Sequence, residues 1–399
     1  REGGDLSKST QHVSANGNNP YYTAYEQLNK LDRDRVFGNL AATINFTEEL
    51  SLILRCGMDL NNDFRTQQKP KGAKTYINGM YKEQTVFDYE MNNDFLLRYT
   101  KKLNDFDLSA SFGGNNMMQS YRSNTSLAES LVVDRDYRLS NSVDRPKVTS
   151  IRRQKSINSF YGLISASWRN MIFLDVTGRN DWESALAFSK YKSFFYPSVG
   201  LSAVVSEMVD MPEWFSFLKV RGSYSAVGSS YAAYLTKPYY DYKGQTHEWD
   251  SLHRFPNENL KPEKTKSWEV GLNARFFGGK LNFDATWYRS DTFNQTFEST
   301  PSSTSGYSSV LVQAGQVRNS GLEMLLNYHN TWRDFTWNTS VTYTMNRNKI
   351  IRLANGVISP VDGQPIDMPY LEKATLGDAG SPQVILYAGG TMGDPYINR

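Results

Sequence analysis

The chain has a single cysteine, Cys56, and few of the features that mark an enzyme or a metal protein. One cysteine excludes an internal disulfide framework and any site built from several cysteines; its simplest interpretation is a small apolar residue on a strand face. The four histidines show no ligand spacing that would suggest zinc. Gly-x-Ser-x-Gly and phosphate-binding Gly-Lys-Ser/Thr motifs are absent. The sequence therefore predicts no catalytic constellation, no cofactor and no metal site, and we expect a protein that is not an enzyme.

Strong charge of one sign and long apolar runs are also missing. Lys and Arg number 44 against 41 Asp and Glu, a net charge of +3, which gives no basic face for nucleic acid. No run approaches the roughly 18 apolar residues of a membrane-spanning helix. A mean hydropathy of −0.56 still permits a membrane β-barrel, because lipid-facing and lumen-facing residues alternate along its strands. The chain starts at Arg1 without a visible signal peptide, so we expect a processed protein or a fragment.

What the sequence does contain is period-two alternation of apolar and polar residues, repeated about a dozen times. Trp268, Val270 and Leu272 share one face of a strand, for example, while Glu269 and Arg275 share the other. We expect no charge on the apolar faces, because a Lys or Arg facing lipid at mid-bilayer costs about 2–4 kcal/mol. The predicted strands lie at about 35–46, 50–60, 87–99, 106–112, 158–169, 171–182, 196–206, 216–227, 266–277, 280–297, 311–329 and 334–347.

The connections between these strands alternate between short and long. Short turns are predicted near 47–49, 101–104, 169–170, 207–213, 277–279 and 330–333, and long segments at about 62–82, 119–157, 183–195, 228–265, 298–310 and from 348 onward. Aromatic residues lie beside every short turn, at the height expected for an interfacial girdle: Phe46, Tyr99, Trp168, Trp214, Phe276 and Phe335. The pattern predicts an all-β fold, a transmembrane antiparallel up-and-down β-barrel with short periplasmic turns and long extracellular loops.

Several blocks then resemble one family. They include Val176-Thr-Gly-Arg-Asn-Asp-Trp182, Phe194-Phe-Tyr-Pro-Ser-Val-Gly-Leu201, Leu218-Lys-Val-Arg-Gly-Ser-Tyr224, the segment 260–272, Asn319-Ser-Gly-Leu-Glu323 and Asn346-Arg-Asn-Lys-Ile-Ile351. In this order, over about residues 19–351, they resemble the SusC/RagA family of TonB-linked outer-membrane proteins, which are TonB-dependent receptors.

The resemblance implies a fold, a location and partners. Members of that family carry an N-terminal plug inside a 22-stranded barrel, a TonB-contacting segment and a surface lipoprotein of the SusD type. This chain would supply about 12 of those strands, without the plug or the TonB-contacting segment. We therefore expect an extracellular segment over 1–33, barrel strands and loops over 34–347, and a loop or further strands over 348–399. The implied location is the outer membrane of a Gram-negative bacterium of the Bacteroidetes type.

The implied function is TonB-dependent import of oligosaccharides or peptides. Aromatic rings suit stacking on sugars, so ligand contacts are predicted in segment 228–265, where the alternative is packing against loops or the capping lipoprotein. The candidates are Tyr234, Tyr239, Tyr240, Tyr242 and Trp249. Charges predicted to face the lumen, and mainly to brace it, are Arg179, Asp181, Arg221, Glu269 and Arg275. The mixed charges of 119–157 are typical of a solvated loop; they lack an EF-hand pattern, and calcium binding stays open.

Two alternative functions remain. A passive outer-membrane channel would lack a plug, so the upstream sequence would decide that case. A soluble all-β protein that binds or cleaves glycans would be recovered without detergent, whereas a membrane barrel would require it.

Overall fold

The computed structural model describes residues 20–235, 242–243, 248–249, 254–299, 301, 303–354, 357–367, 370–375 and 383–396. Within these ranges the regular structure is almost entirely β, with one α-helix, α1 (Pro20–Glu26). Short 3₁₀ helices occur at Leu139–Asn141, Ser184–Leu186, Val205–Glu207 and Ser303–Ser305. No described helix has the length and apolarity needed to cross a membrane.

Twelve long strands form the sheet, and each of the twelve predicted strands lies on one of them. They are β1 (Asn29–Asn45), β2 (Leu50–Lys71), β3 (Asn78–Leu103), β4 (Phe106–Ala128), β5 (Lys147–Trp168), β6 (Ile172–Glu183), β7 (Ser193–Val204), β8 (Phe215–Ser229), β9 (Glu263–Phe276), β10 (Leu281–Ser299), β11 (Ser309–Trp332) and β12 (Phe335–Arg352). Each strand pairs with the next along the chain, which confirms the predicted up-and-down order.

Shorter strands lie outside this series. Arg254–Phe255 runs parallel to the start of β11 and completes a 13-stranded sheet. Two small ladders join Tyr242–Lys243 to Glu248–Trp249 and Val357–Ile358 to Pro365–Ile366. A three-stranded sheet contains Tyr370–Thr375, Gln383–Tyr387 and Pro395–Tyr396.

The strands are longer than the alternation predicted. β2 was expected to end near residue 60 and continues to Lys71, so the loop predicted over 62–82 shrinks to residues 72–77. The reason is that polar residues hold most positions of the same face above Leu60: Asn62, Thr66 and Gln68, with Phe64 as the apolar exception among them. Apolar alternation reports only the part of a strand that faces a nonpolar medium. The ladder itself continues beyond that part, because backbone pairing does not depend on apolar side chains.

Two compact units divide the chain. The first comprises Arg1–Ala42, Leu54–Asp94 and Asn116–Ser156. Its buried cluster contains Tyr81, Ala128 and Leu131. The second comprises Thr43–Ile53, Phe95–Asn115 and Ile157–Arg399. Its buried cluster lies near the upper ends of β11 and β12, the ends farthest from their short turn: Val310, Val312, Val317, Ile350, Leu353 and Leu386.

Large apolar side chains cover one face of the second unit's sheet and remain exposed. Leu201 is 54% exposed, Val270 59% and Val341 54%. The register places Val270 directly opposite Trp287, and Leu326 opposite Val341, so these residues share a face, which we call the outer face. The described residues supply no second layer of protein over it. A contiguous apolar surface of this kind marks contact with another nonpolar phase. The predicted lipid-facing side is therefore open, as a barrel wall requires.

Aromatic residues cluster beside the short turns, as predicted. The rings of Trp214 and Phe276 stack with centroids 6.0 Å apart. At the turn between β11 and β12, Trp332 stacks on Phe335 at 6.1 Å. Trp214 and Phe335 are both more than half exposed. Exposed aromatic pairs at one height are typical of the interfacial girdle of a membrane barrel.

The expectation of wholly uncharged apolar faces was wrong for β9–β12. The register places five charged residues of the predicted strands on the outer face: Lys266, Arg289, Asp291, Arg318 and Arg347. They lie at the ends of the strands away from the short turns, beyond the band of uncharged apolar residues. The strands predicted from the sequence therefore extend above that band.

Candidate functional site

The face opposite the outer face, here called the inner face, carries the charges that the sequence predicted for the lumen. Arg179 and Asp181 on β6 form an ion pair, with Nε and Oδ1 2.7 Å apart. Asp181 also accepts a hydrogen bond from the Tyr196 hydroxyl on β7, while Arg179 Nη2 donates to Ser159 Oγ on β5 at 2.9 Å. Asp181 is only 5% exposed. These contacts tie three strands together across the inner face.

A second inner-face network surrounds Arg221 on β8. Its Nη2 lies 2.8 Å from Oδ1 of Asp284 and 2.6 Å from the Thr286 hydroxyl. The Asn273 amide donates to Asp284 at 3.0 Å. Gly271 lies between these strands, and a Cβ there would be 2.7 Å from Arg221 Nε. The glycine therefore lets the arginine side chain reach across β9 to Asp284 on β10.

The other two predicted lumen charges have simpler surroundings. Arg275 lies over the Phe217 ring, with its guanidinium carbon 4.8 Å from the ring centroid. Glu269 is exposed and lies two positions from Gly271 on the same face, beside Arg221. All five charges thus occur on the inner face, whereas Leu201 and Val270 lie on the outer face. Their function as lumen-facing groups remains a prediction.

The first unit contains a polar cavity of about 540 Å³ that the sequence analysis did not anticipate. Its lining mixes amides, hydroxyls and three lysines, with no acidic residue: Thr23, Gln27, Asn29, Gln67, Gln68, Lys69, Tyr76, Met80, Lys82, Thr125, Leu127, Lys147 and Thr149. The size is within the range of small-molecule sites, about 300–1,000 Å³.

Several polar groups in this cavity are held in place, and one has no partner. Lys82 Nζ donates to Gln67 Oε1 at 3.3 Å, and Lys69 Nζ donates to the Thr75 hydroxyl at 3.2 Å. Lys69 also lies 5.2 Å from the centroid of the Tyr76 ring. The Gln27 side-chain nitrogen is buried and makes no hydrogen bond to any described group. A buried donor without a partner is costly, so this nitrogen is available to a polar ligand.

The sequence contains a weak signal for this cavity. Lining residues occur at every second position of their strands, as with Gln67 and Lys69, Met80 and Lys82, or Thr125 and Leu127. These positions continue the alternation of inner-face residues beyond the apolar part of each strand. They come from five separate segments and are common residue types, so no local motif indicates that they meet.

Part of the aromatic segment predicted to bind ligand lies within the described residues. Tyr234 is 44% exposed and has a positive φ of 70°. Tyr239 and Tyr240 lie outside the described residues. Tyr242 and Trp249 are paired by their backbones in a two-residue ladder, and their side chains lie outside the described part. Ligand contact by these five residues remains a prediction.

Two aspartates of the 119–157 segment have arginine partners. Asp134 pairs with Arg135 at 2.7 Å, and Asp136 pairs with Arg138 at 2.5 Å. Across the residues described, no group of three or more His, Cys, Asp or Glu side chains is placed to hold a metal ion. Asp134 and Asp136 are therefore engaged in ion pairs.

Nearly the whole chain is similar to known proteins. The family model for the TonB dependent receptor-like β-barrel matches residues 2–379. The chain is 25% identical over 371 residues to TonB-dependent receptor P26 of Formosa agariphila, covering 88% of this chain and 37% of that protein. It is 26% identical over 290 residues to TonB-dependent receptor SusC of Bacteroides thetaiotaomicron, covering 68% and 28% respectively.

Solved structures give the same fold. A structure of the RagAB peptide transporter superposes with a TM-score of 0.75 at 18% identity, over 96% of this chain and 41% of that one. The ferric-catecholate import receptor Fiu from Escherichia coli K12 gives 0.53 at 12% identity, over 84% and 49%. The chain thus spans between a quarter and two fifths of the length of the two curated relatives.

Proposed function

The chain belongs to the TonB dependent receptor-like β-barrel family, and from this premise we propose that the intact protein imports nutrients across the outer membrane with energy delivered through TonB. The observation that supports this most is the sheet itself. Its apolar outer face is open along β6–β12, while its inner face carries paired charges. That division suits a wall between lipid and a water-filled interior.

The proposed cargo is an oligosaccharide or a peptide. The likeness to SusC and to the RagAB peptide transporter supports this class of cargo. The cavity in the first unit supports it independently, because amides, hydroxyls and lysines are suited to polar ligands. We propose this cavity as one cargo contact, together with the aromatic segment that contains Tyr234, Tyr239, Tyr240, Tyr242 and Trp249.

The proposed partners follow from the same relatives. We expect TonB to act through a part of the protein that this chain does not contain, and a SusD-like surface lipoprotein to help capture cargo. A soluble glycan-binding protein would not leave residues such as Val270 and Val341 exposed, and the outer-membrane family excludes it. A passive channel stays as the alternative that an uptake experiment must separate.

The test measures growth and uptake of labelled oligosaccharides and peptides in cells with and without the intact gene. Import is supported if uptake of a particular cargo requires both the gene and TonB. Uptake that persists without TonB would indicate the passive channel.

The cavity is tested with Lys82→Gln, and the matched control is Lys102→Gln. Lys102 lies near a short turn, with a side chain that is 75% exposed. We expect the first substitution to weaken cargo binding and the control to leave it unchanged. Equal binding by both variants would exclude Lys82 as a cargo contact.

A further inference from the structure

Basic side chains gather on the outer face of β9–β12, directly above the apolar residues. We call this group the outer basic array, and it contains Lys266, Arg289, Arg318, Arg347 and Lys349. The register sets them in two neighbouring rows. In the lower row Arg289 is opposite Ser320, which is opposite Arg347. In the upper row Lys266 is opposite Asp291, Asp291 opposite Arg318, and Arg318 opposite Lys349. Adjacent strands lie about 4.8 Å apart, so the five cations occupy a small patch.

One acidic residue, Asp291, lies between the cations of the array, and it is already paired with two of them. Asp291 is 8% exposed and lies 3.0 Å from Arg289 Nε and 2.7 Å from Arg318 Nε. Gln316 also donates to it at 3.0 Å. Its single negative charge is therefore shared between two arginines.

Three cations of the array have no such compensation. Lys266, Arg347 and Lys349 are exposed, and no described acidic side chain lies within ion-pair distance of them. Arg318 and Lys349 are also directly opposite each other, an arrangement of like charges that destabilises a sheet unless an anion lies between them. The patch therefore lacks counter-charge that an external anion would supply.

The height of the array identifies the anion. Along their strands, Lys266 is the first outer residue after Trp268, Arg289 the first after Trp287, and Arg347 the first after Met345. Two residues of strand span about 7 Å, and the headgroup layer on each side of a bilayer is about 5–8 Å thick. The cations thus begin where the apolar surface ends, on the side of the long loops.

An aromatic pair marks the same boundary. The rings of Tyr224 and Trp268 lie with centroids 4.5 Å apart, and Trp268 is 56% exposed. Aromatic residues flank the apolar band of membrane barrels at both interfaces. On the neighbouring strand β8, the outer positions that follow Tyr224 are Ala226 and Gly228, so the charge is a local patch and not a uniform ring.

We propose that the outer basic array binds the phosphate groups of a lipid headgroup in the outer leaflet of the outer membrane. The arginines offer paired N–H groups that match phosphate oxygens, and the lysines add compact positive charge. Such a contact would fix a lipid against β9–β12, on the face opposite to the inner-face charges. It depends on the outer face meeting lipid and not on which cargo is carried.

The test compares lipid binding by the intact outer-membrane protein that contains this chain, reconstituted in nanodiscs or detergent. The variant Arg347→Gln/Lys349→Gln removes two exposed cations of the array. The control Lys102→Gln/Lys280→Gln removes two cations next to short turns. Binding of a phosphate-bearing anionic lipid is measured against a zwitterionic lipid, with inorganic phosphate as a competitor. Detergent requirement and heat-modifiable mobility verify that each variant is folded.

The array variant should bind the anionic lipid about 25-fold more weakly, since each basic residue near an anionic surface contributes about fivefold. The control variant should bind like the parent, and millimolar inorganic phosphate should compete poorly. The proposal is overturned if both variants lose equal affinity, if the zwitterionic lipid binds as well, or if free phosphate displaces the lipid completely. The last result would assign the patch to soluble anions.

Discussion

Placing an arginine at Val220 should test the two faces of the sheet within a single strand. Val220 on β8 is 40% exposed and is opposite Ala203 and Leu272 on the outer face. It lies five positions above Phe215, the start of β8 beside the short turn. At about 3.4 Å per residue and a tilt of about 40°, that places it about 13 Å into an apolar band about 25 Å tall. Val220 is thus near the middle of the membrane.

The expected cost of Val220→Arg is about 2–4 kcal/mol, the range for Arg at the midplane of a membrane barrel. The control is Ser223→Arg, three residues away on the inner face of the same strand, where Ser223 is opposite Gly200 and Glu269. It should cost less than about 1 kcal/mol, the usual range for substitutions in a polar setting. The assay is equilibrium unfolding of the intact protein in lipid vesicles by denaturant titration. Equal losses from both variants, or a larger loss from Ser223→Arg, would refute the assignment of the faces.

Three further predictions concern single positions. Gly321→Ala should destabilise the protein by about 2 kcal/mol or more, because a Cβ there would collide with the Met345 carbonyl and the Tyr288 ring. The control Gly38→Ala should be nearly neutral, because a Cβ at Gly38 meets nothing within 4 Å. Thermal unfolding of both variants checks this. Asp63→Asn should cost about 2 kcal/mol, since the carboxylate is 2% exposed and binds both Arg33 and Arg65; the same titration against a neutral Asn61→Ala control measures it. Arg221→Met should lower the free energy of unfolding more in the parent than in an Asp284→Asn background, because in the parent it leaves the Asp284 carboxylate without its partner. A double-mutant cycle measures the coupling energy between the two residues. Additive losses would contradict the prediction.

Asp63 should also make the stability of the protein depend on pH. It lies on β2 thirteen residues beyond Leu50, the end beside the short turn, which at about 3.4 Å per residue and a tilt of about 40° is about 34 Å and so beyond an apolar band about 25 Å tall. Hydrogen bonds from Arg33 and then Arg65 outweigh burial and lower its pKa to about 2. Because the folded pKa is below the unfolded value of about 3.9, the stability that Asp63 contributes is complete above pH ~4 and is lost as the pH falls through about 2. The parent should therefore lose more stability than Asp63→Asn over that interval. Parallel pH profiles would contradict this.

The sequence predicted the strands well because the membrane imposes a strict rule on them. An apolar residue at every second position located β1 to β12, since each strand has one face against lipid. The same rule could not find the upper half of β2 and β3, where polar residues interrupt the apolar alternation. It also could not separate Arg289 or Arg347 from the apolar band, because the boundary depends on how neighbouring strands are offset and not on one strand alone.

The candidate site was less accessible to sequence reasoning. The pair Arg179 and Asp181 was predictable, because residues two apart on a strand share a face. The partners Asp284 for Arg221 and Tyr196 for Asp181 depend on register between strands. The cavity around Lys69 and Lys82 depends in addition on α1, the one described α-helix, which no alternation in the sequence indicated.

The most direct measurement is a spin-label scan of β9 in the intact protein within a bilayer. Cysteines introduced one at a time from Trp268 to Phe276 carry a nitroxide, and collision with oxygen, which dissolves in lipid, is compared with collision with a water-soluble nickel complex. If the outer face meets lipid, accessibility should alternate strictly along the strand: labels at Val270 and Leu272 collide with oxygen, and labels at Glu269 and Asn273 collide with nickel. A profile without alternation, or one in which labels at Val270 and Leu272 meet neither reagent, would show that this face is covered by protein and would contradict the membrane assignment.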